Sequence, residues 1–164
     1  MSQLGTLYLL CGKMASGKSM LAKELANSHQ AILMSEDQLL ADLYPNQVQD
    51  VASYVRCSTQ LKRALEPHIG NLLCRGVSVV LDFPANTVRQ RMWMRGLITK
   101  TAAPHELHYL IVSDAVCKSR LAKRAAEQPE RRATDTVEMF DSITAHFQAP
   151  TPDERFELIR HRRS

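Results

Sequence analysis

The sequence predicts an α/β fold, a three-layer sandwich built on a five-stranded parallel sheet. Three observations carry that expectation. Short apolar runs alternate with amphipathic stretches at helical spacing, as in successive strand-helix units. The first run stops at a glycine-rich turn that opens a helix, and the 164 residues suit one domain with one core. A hydrophobic content of 45% against 23% charge argues against global disorder. No apolar segment reaches the roughly 18 to 20 residues that span a bilayer. Met1-Ser2-Gln3-Leu4-Gly5 lacks a basic region followed by an apolar stretch, so residues 1–164 are expected to form a single cytoplasmic domain.

Thr6-Leu7-Tyr8-Leu9-Leu10-Cys11 reads as a buried central strand. In the helix that follows, Met20, Leu21, Leu25 and Ala26 form the inward stripe. Ala31-Ile32-Leu33-Met34 is a second strand, and Ser35 with Gln38 forms a capping-box pattern for the next helix. Residues 47–75 read as mostly helical, with a break or kink at Pro67. Val77-Ser78-Val79-Val80-Leu81-Asp82 is a third strand, after which Asn86 is placed to cap a helix carrying Val88, Met92, Trp93 and Leu97. Trp93, Met92 and Met94 look like packing against the sheet. A fourth strand covers 106–112, with Ser113 or Asp114 capping a basic helix that Pro129 ends or bends. A last helix is expected over about 134–147 and an edge strand at Phe156-Glu157-Leu158-Ile159.

Gly12-Lys13-Met14-Ala15-Ser16-Gly17-Lys18-Ser19 satisfies the P-loop pattern G-x-x-x-x-G-K-[ST] between a predicted strand and a predicted helix. Gly12 and Gly17 are expected to permit the backbone torsions that gather N–H groups around a phosphate, with the helix dipole behind them. Lys18 can reach the β- and γ-phosphates of a nucleoside triphosphate, and the Ser19 hydroxyl can ligate magnesium. The side chains of Lys13 and Ser16 occupy variable positions and read as solvent-facing.

Asp37 follows the second strand at the sheet edge where ligands of parallel sheets bind, and can act as base toward an attacking hydroxyl. The plainer role is an acid in the first turn of a helix, worth roughly 0.3 to 1 kcal/mol, which Glu36 could equally fill. Asp82 closes an apolar strand, the form of an acid that orients magnesium, or else it is a turn residue before Pro84. Arg89 and Arg91 are weaker candidates for a substrate phosphate. Arg120 and Arg124, spaced i, i+4, resemble arginines of a lid over about 118–135; the alternative is an exposed basic helix paired with Glu127 and Glu130.

The six histidines form no motif, and Cys11, Cys57, Cys74 and Cys117 are spaced neither for zinc nor for disulfides. The excess of 21 basic over 17 acidic residues, +4, is too small to demand a polyanionic partner. Arg160-His161-Arg162-Arg163 reads as a solvated terminal tail.

The P-loop, Ser35-Glu36-Asp37, Leu81-Asp82 with Asn86 and Arg89, and the Arg120 to Arg124 spacing together resemble the P-loop kinase superfamily. The similarity is strongest to AAA-33-type ATP-binding proteins related to polynucleotide kinase, chloramphenicol phosphotransferase and zeta toxins. That resemblance implies ATP and Mg2+ as cofactors, Asp37 as general base, Asp82 near the metal, and Arg120 or Arg124 stabilising the phosphates. Leu40 stands where polynucleotide kinases carry an arginine three residues after the base, so a nucleic-acid acceptor is not favoured. The expected activity is transfer of the γ-phosphoryl group to an unidentified hydroxyl-bearing acceptor. Its rival is an ATP-binding switch with no acceptor.

Overall fold

The computed structural model describes residues 3–163. Its sheet has five strands, β1 (Leu7–Cys11), β2 (Ile32–Ser35), β3 (Val79–Asp82), β4 (His105–Val112) and β5 (Leu158–Arg163). All pair in parallel, in the order β2-β3-β1-β4-β5. The helices are α1 (Lys18–His29), α2 (Glu36–Leu43), α3 (Val51–Cys74), α4 (Val88–Thr101), α5 (Asp114–Glu127) and α6 (Val137–Thr144). Short 3-10 turns occupy Pro129–Arg131 and Pro152–Glu154.

β1 is apolar throughout because both its faces are covered. Leu7, Leu9 and Cys11 join a core with Leu61, Ile69 and Leu73 of α3 and Met94 and Leu97 of α4. Tyr8 and Leu10 pack on the other face against Leu21, Ala22 and Leu25 of α1. The inward stripe of α1 therefore excludes Met20, which is 66% exposed at the solvent edge. Met92 is likewise exposed, whereas Trp93 and Met94 face the core.

α3 runs unbroken through Pro67. Burial of Ile69 and Leu73 on the turns after the proline offsets the hydrogen bond that its missing N–H removes. Ser35, Thr87, Ser113 and Thr136 each accept a backbone N–H at the start of a helix. Thr87 thus takes the capping role expected of Asn86. The last helix is shorter than its pattern suggested, at Val137–Thr144. The Arg160–Arg163 segment is not a tail: it completes β5, pairing in register from Tyr109↔Arg160 to Val112↔Arg163. No helix among the described residues is long and apolar enough to cross a membrane.

Candidate active site

Parallel pairing brings the C-terminal ends of β1, β2 and β3 to one edge, and the P-loop leaves β1 there. Gly17, at φ +98°, is the N-cap of α1 and supplies no side-chain cap, so the first amides of α1 stay open to an anion. Ala15 also adopts a positive φ, +59°. Gly12 does not, and its reason is space: a Cβ there would lie 2.5 Å from Ser16 Oγ. The Gly12 N–H donates to Asn86 Oδ1 at 2.9 Å, tethering the loop to the segment after β3.

Ser16 is buried, not solvent-facing, because the loop folds inward over it, and its Oγ has no hydrogen-bond partner among the described residues. A buried polar atom without a partner is costly, and a bound phosphate oxygen would satisfy it. Lys18 donates from Nζ to the Gly12 carbonyl at 2.5 Å. Burial pushes the Lys18 amine below its ordinary pKa, opposed by Cys11, Asp82 and Asp37 nearby. Lys13 stays part-exposed, its Nζ 2.6 Å from exposed Asp114 Oδ1 and 5.6 Å from the centre of the Phe147 ring. Met14 and Ala15 pack on Val112, Cys117, Leu121 and Phe140, fastening the loop to α5 and α6.

The Ser19 hydroxyl donates to Asp82 Oδ2 at 2.9 Å. A hydroxyl and a carboxylate on an open edge suit magnesium, which keeps several waters and needs few protein ligands. The uncapped amides, the unpartnered Ser16 Oγ and the Ser19–Asp82 pair together fit a nucleotide phosphate with its metal.

The Ser35↔Asp82 pairing sets the start of α2 beside the end of β3. Asp37 is exposed there and lines a cavity of about 450 Å³ with Leu40, Tyr44, Pro45, Val48 and Tyr54. Its neighbour Glu36 is 1% exposed and accepts from the Tyr54 hydroxyl at 2.5 Å and the Ser58 hydroxyl at 2.9 Å. The two acids are therefore not interchangeable. Burial and the Glu36 charge push the Tyr54 phenol far above its ordinary pKa.

Arg120 Nη1 donates to the Ala15 carbonyl at 3.3 Å, on the P-loop itself. Arg124, one turn on, instead holds buried Asp135 through bonds of 2.5 and 2.9 Å, with Arg131 joining at 3.1 Å. Burial alone would raise the Asp135 carboxyl, but the two guanidiniums hold it below its ordinary pKa. Of the alternative reading, an exposed basic helix paired with Glu127 and Glu130, the structure keeps the Lys123–Glu127 pair at 4.0 Å, while Arg124 turns to Asp135.

Arg89 is exposed, whereas Arg91 is fully buried, forked onto Glu154 at 2.7 and 3.2 Å and bonded to the Ala85 carbonyl. All four cysteines are free, and burial pushes the Cys11 thiol up to about 11. His108 is buried between Glu106 and His161, with both contacts at 2.8 Å.

Sequence reasoning missed Asn86 as a tether, Glu36 with Tyr54 and Ser58, and the buried positions of Ser16 and Arg91. The capping signal of Thr87 could have released Asn86 for another role; the others depend on contacts distant in sequence.

The AAA domain family model, AAA_33, matches residues 7–150. A search of curated proteins finds no match to this sequence. Among solved structures, the chain is similar to the Mycobacterium tuberculosis APS kinase in complex with AMPPNP and APS. That likeness has TM-score 0.66 and 20% identity, over 99% of this chain and 92% of that one. A sugar kinase from Janibacter sp. HTCC2649 gives 0.64 and 17%, over 96% and 85%. Chaetomium thermophilum Kti12 in complex with ADP-AlF3 gives 0.66 and 17%, over 95% and 88%. With a parallel α/β sheet, a P-loop after the central strand and this family match, the chain belongs to the AAA domain family AAA_33 and has the P-loop kinase fold.

Proposed function

We propose that the protein is an ATP- and Mg2+-dependent phosphotransferase acting on a hydroxyl group, working in the cytoplasm as one domain over residues 1–164 with a lid at about 118–135. The observation that carries this reading is the Ser19–Asp82 bond at the foot of α1, with the Lys18 amine above the same edge and Asp37 opening onto an adjoining cavity. The kinases among its structural relatives agree with it.

In this reading the loop amides and Lys18 bind the β- and γ-phosphates, and Ser19 and Asp82 hold the metal. Magnesium, when bound, neutralises charge on the β- and γ-phosphates. Asp37 accepts the proton of the acceptor hydroxyl as its oxygen bonds to the γ-phosphorus; the bond from that phosphorus to the bridging oxygen breaks, and ADP leaves. Arg120 adds positive charge over the loop. Arg124 holds the lid segment to Asp135 and contributes through position.

The test is magnesium-dependent ADP release by wild type, Lys18→Ala and Asp37→Asn, alone and with hydroxyl-bearing metabolites and 5′-hydroxyl oligonucleotides. Acceptor-stimulated release, lost in Lys18→Ala and reduced by about 10² to 10⁴ in Asp37→Asn with ATP affinity retained, supports the proposal. ATP binding without stimulation by any acceptor, or full turnover by Asp37→Asn, favours an ATP-dependent switch instead.

A further inference from the structure

The cavity between α2 and α3 is where an acceptor for Asp37 would sit, and its walls carry a definite chemistry. Leu40, Ala41, Tyr44, Pro45 and Val48 make it mainly apolar, Asn46 adds a neutral amide, and its volume of about 450 Å³ lies within the range of small-molecule sites, roughly 300 to 1,000 Å³. Asp37 is the one charged residue lining it, and no Lys, Arg or His does so among the described residues. A second carboxylate stands behind the wall: Glu36 is buried and takes the Tyr54 hydroxyl at 2.5 Å. That bond commits the phenol proton to Glu36, so Tyr54 offers the cavity its ring and no free donor. The cations nearest these two acids lie off the cavity wall: Lys18 in the P-loop, close to Asp37, and Lys62 on α3, close to Glu36. Glu36 is thus answered by Lys62, but an anionic acceptor would still meet Asp37 and no counter-charge on the cavity wall.

Resting on the phosphotransferase reading, we infer that the acceptor is a hydroxyl-bearing small molecule with an apolar or aromatic body and no phosphate, sulfate or carboxylate group. The cavity holds the body against Leu40, Tyr44, Pro45 and Val48 and presents the hydroxyl to Asp37. A cationic amine on the acceptor is compatible with Asp37; a polynucleotide end is not.

Paired probes test this: thymidine with thymidine 5′-monophosphate, pyridoxine with pyridoxine 5′-phosphate, and a 5′-hydroxyl oligonucleotide. Binding is measured on the whole protein saturated with magnesium and a non-hydrolysable ATP analogue, and ADP release is measured separately with ATP. In at least one pair the unphosphorylated member binds about tenfold or more tightly than its partner, a difference of about 1.4 kcal/mol. Val48→Lys, a change at a solvent-reaching wall position, narrows that ratio to less than about threefold by supplying the missing cation. Equal or tighter binding of the phosphorylated members or the oligonucleotide, or no binding of any unphosphorylated probe, overturns the inference. Selective binding without ADP release removes the phosphotransferase reading and leaves the cavity's selectivity standing; transfer to phosphorylated acceptors does the reverse.

Discussion

The Ser19 hydroxyl and the Asp82 carboxylate meet at 2.9 Å, joining the first turn of α1 to the end of β3. Both sit at the open edge of the sheet, so their contact contributes little to holding the fold together. Asp82→Asn is expected to raise the magnesium concentration for half-maximal ADP release by about 10- to 100-fold while leaving the unfolding midpoint almost unmoved. Magnesium titrations of turnover beside thermal melts check both halves.

Gly12 and Ser16 form a second pair whose spacing is tested by adding a single carbon. Gly12→Ala puts a methyl group 2.5 Å from Ser16 Oγ and 3.3 Å from Leu110 Cβ, and is expected to weaken ATP binding by about tenfold or more. Ser16→Gly in the same chain removes the nearest obstacle and restores part of that loss. Calorimetric titration of the two single variants and the double variant measures the coupling.

The buried Arg91–Glu154 fork gives a stability prediction with a built-in asymmetry. Glu154→Ala strands a guanidinium with no exposure to solvent and is expected to cost about 3 to 5 kcal/mol, lowering the midpoint by about 10 °C. Arg91→Met leaves Glu154, whose side chain is 15% exposed and can reach water, and is expected to cost less. Urea denaturation of the two variants ranks them.

Burial, then the neighbouring His108 and Arg163, holds the His161 imidazole below its ordinary pKa of about 6.5. The unfolded chain therefore binds this proton first as pH falls. The resulting stability is present above about pH 6.5 and is lost as acidification proceeds toward and through the folded-state pKa. His105 works in the same direction, through burial and Arg95 against the weaker pull of Glu157. Glu106 faces His108 on this seam, and β5 also carries Arg160 and Arg162 along it. Melting temperatures from pH 5 to 8 are expected to fall on acidification, and the fall is smaller in His161→Gln.

What the sequence made legible follows from distance along the chain. The P-loop could be read because strand, turn and helix are contiguous and each carries its own signal: an apolar run, two glycines and an amphipathic stretch. Asp37 and Asp82 could be placed on one edge because parallel strands bring their C-terminal ends together. Ser16 and Arg91 were beyond reach because burial of a polar side chain is decided by partners elsewhere, Glu154 in the case of Arg91. Arg160–Arg163 looked like a tail because its composition is polar; it is a strand because β4 offers an open backbone edge. Arg120 and Arg124 share helical spacing yet diverge, since Asp135 reaches one and the P-loop lies under the other.

The central position of β1 also governs how the chain assembles. Leu7 pairs with Val79 on one side and His105 on the other, so the first strand made waits for partners made much later. Until they arrive, Leu-Tyr-Leu-Leu-Cys is a sticky apolar ribbon with two unpaired edges, the kind of segment that other chains capture. Closing such long loops before any sheet contact forms makes folding slow relative to a helical bundle of the same size. The strand that anchors the P-loop is thus made first, yet both its edges are covered only once residues 105–112 have been added.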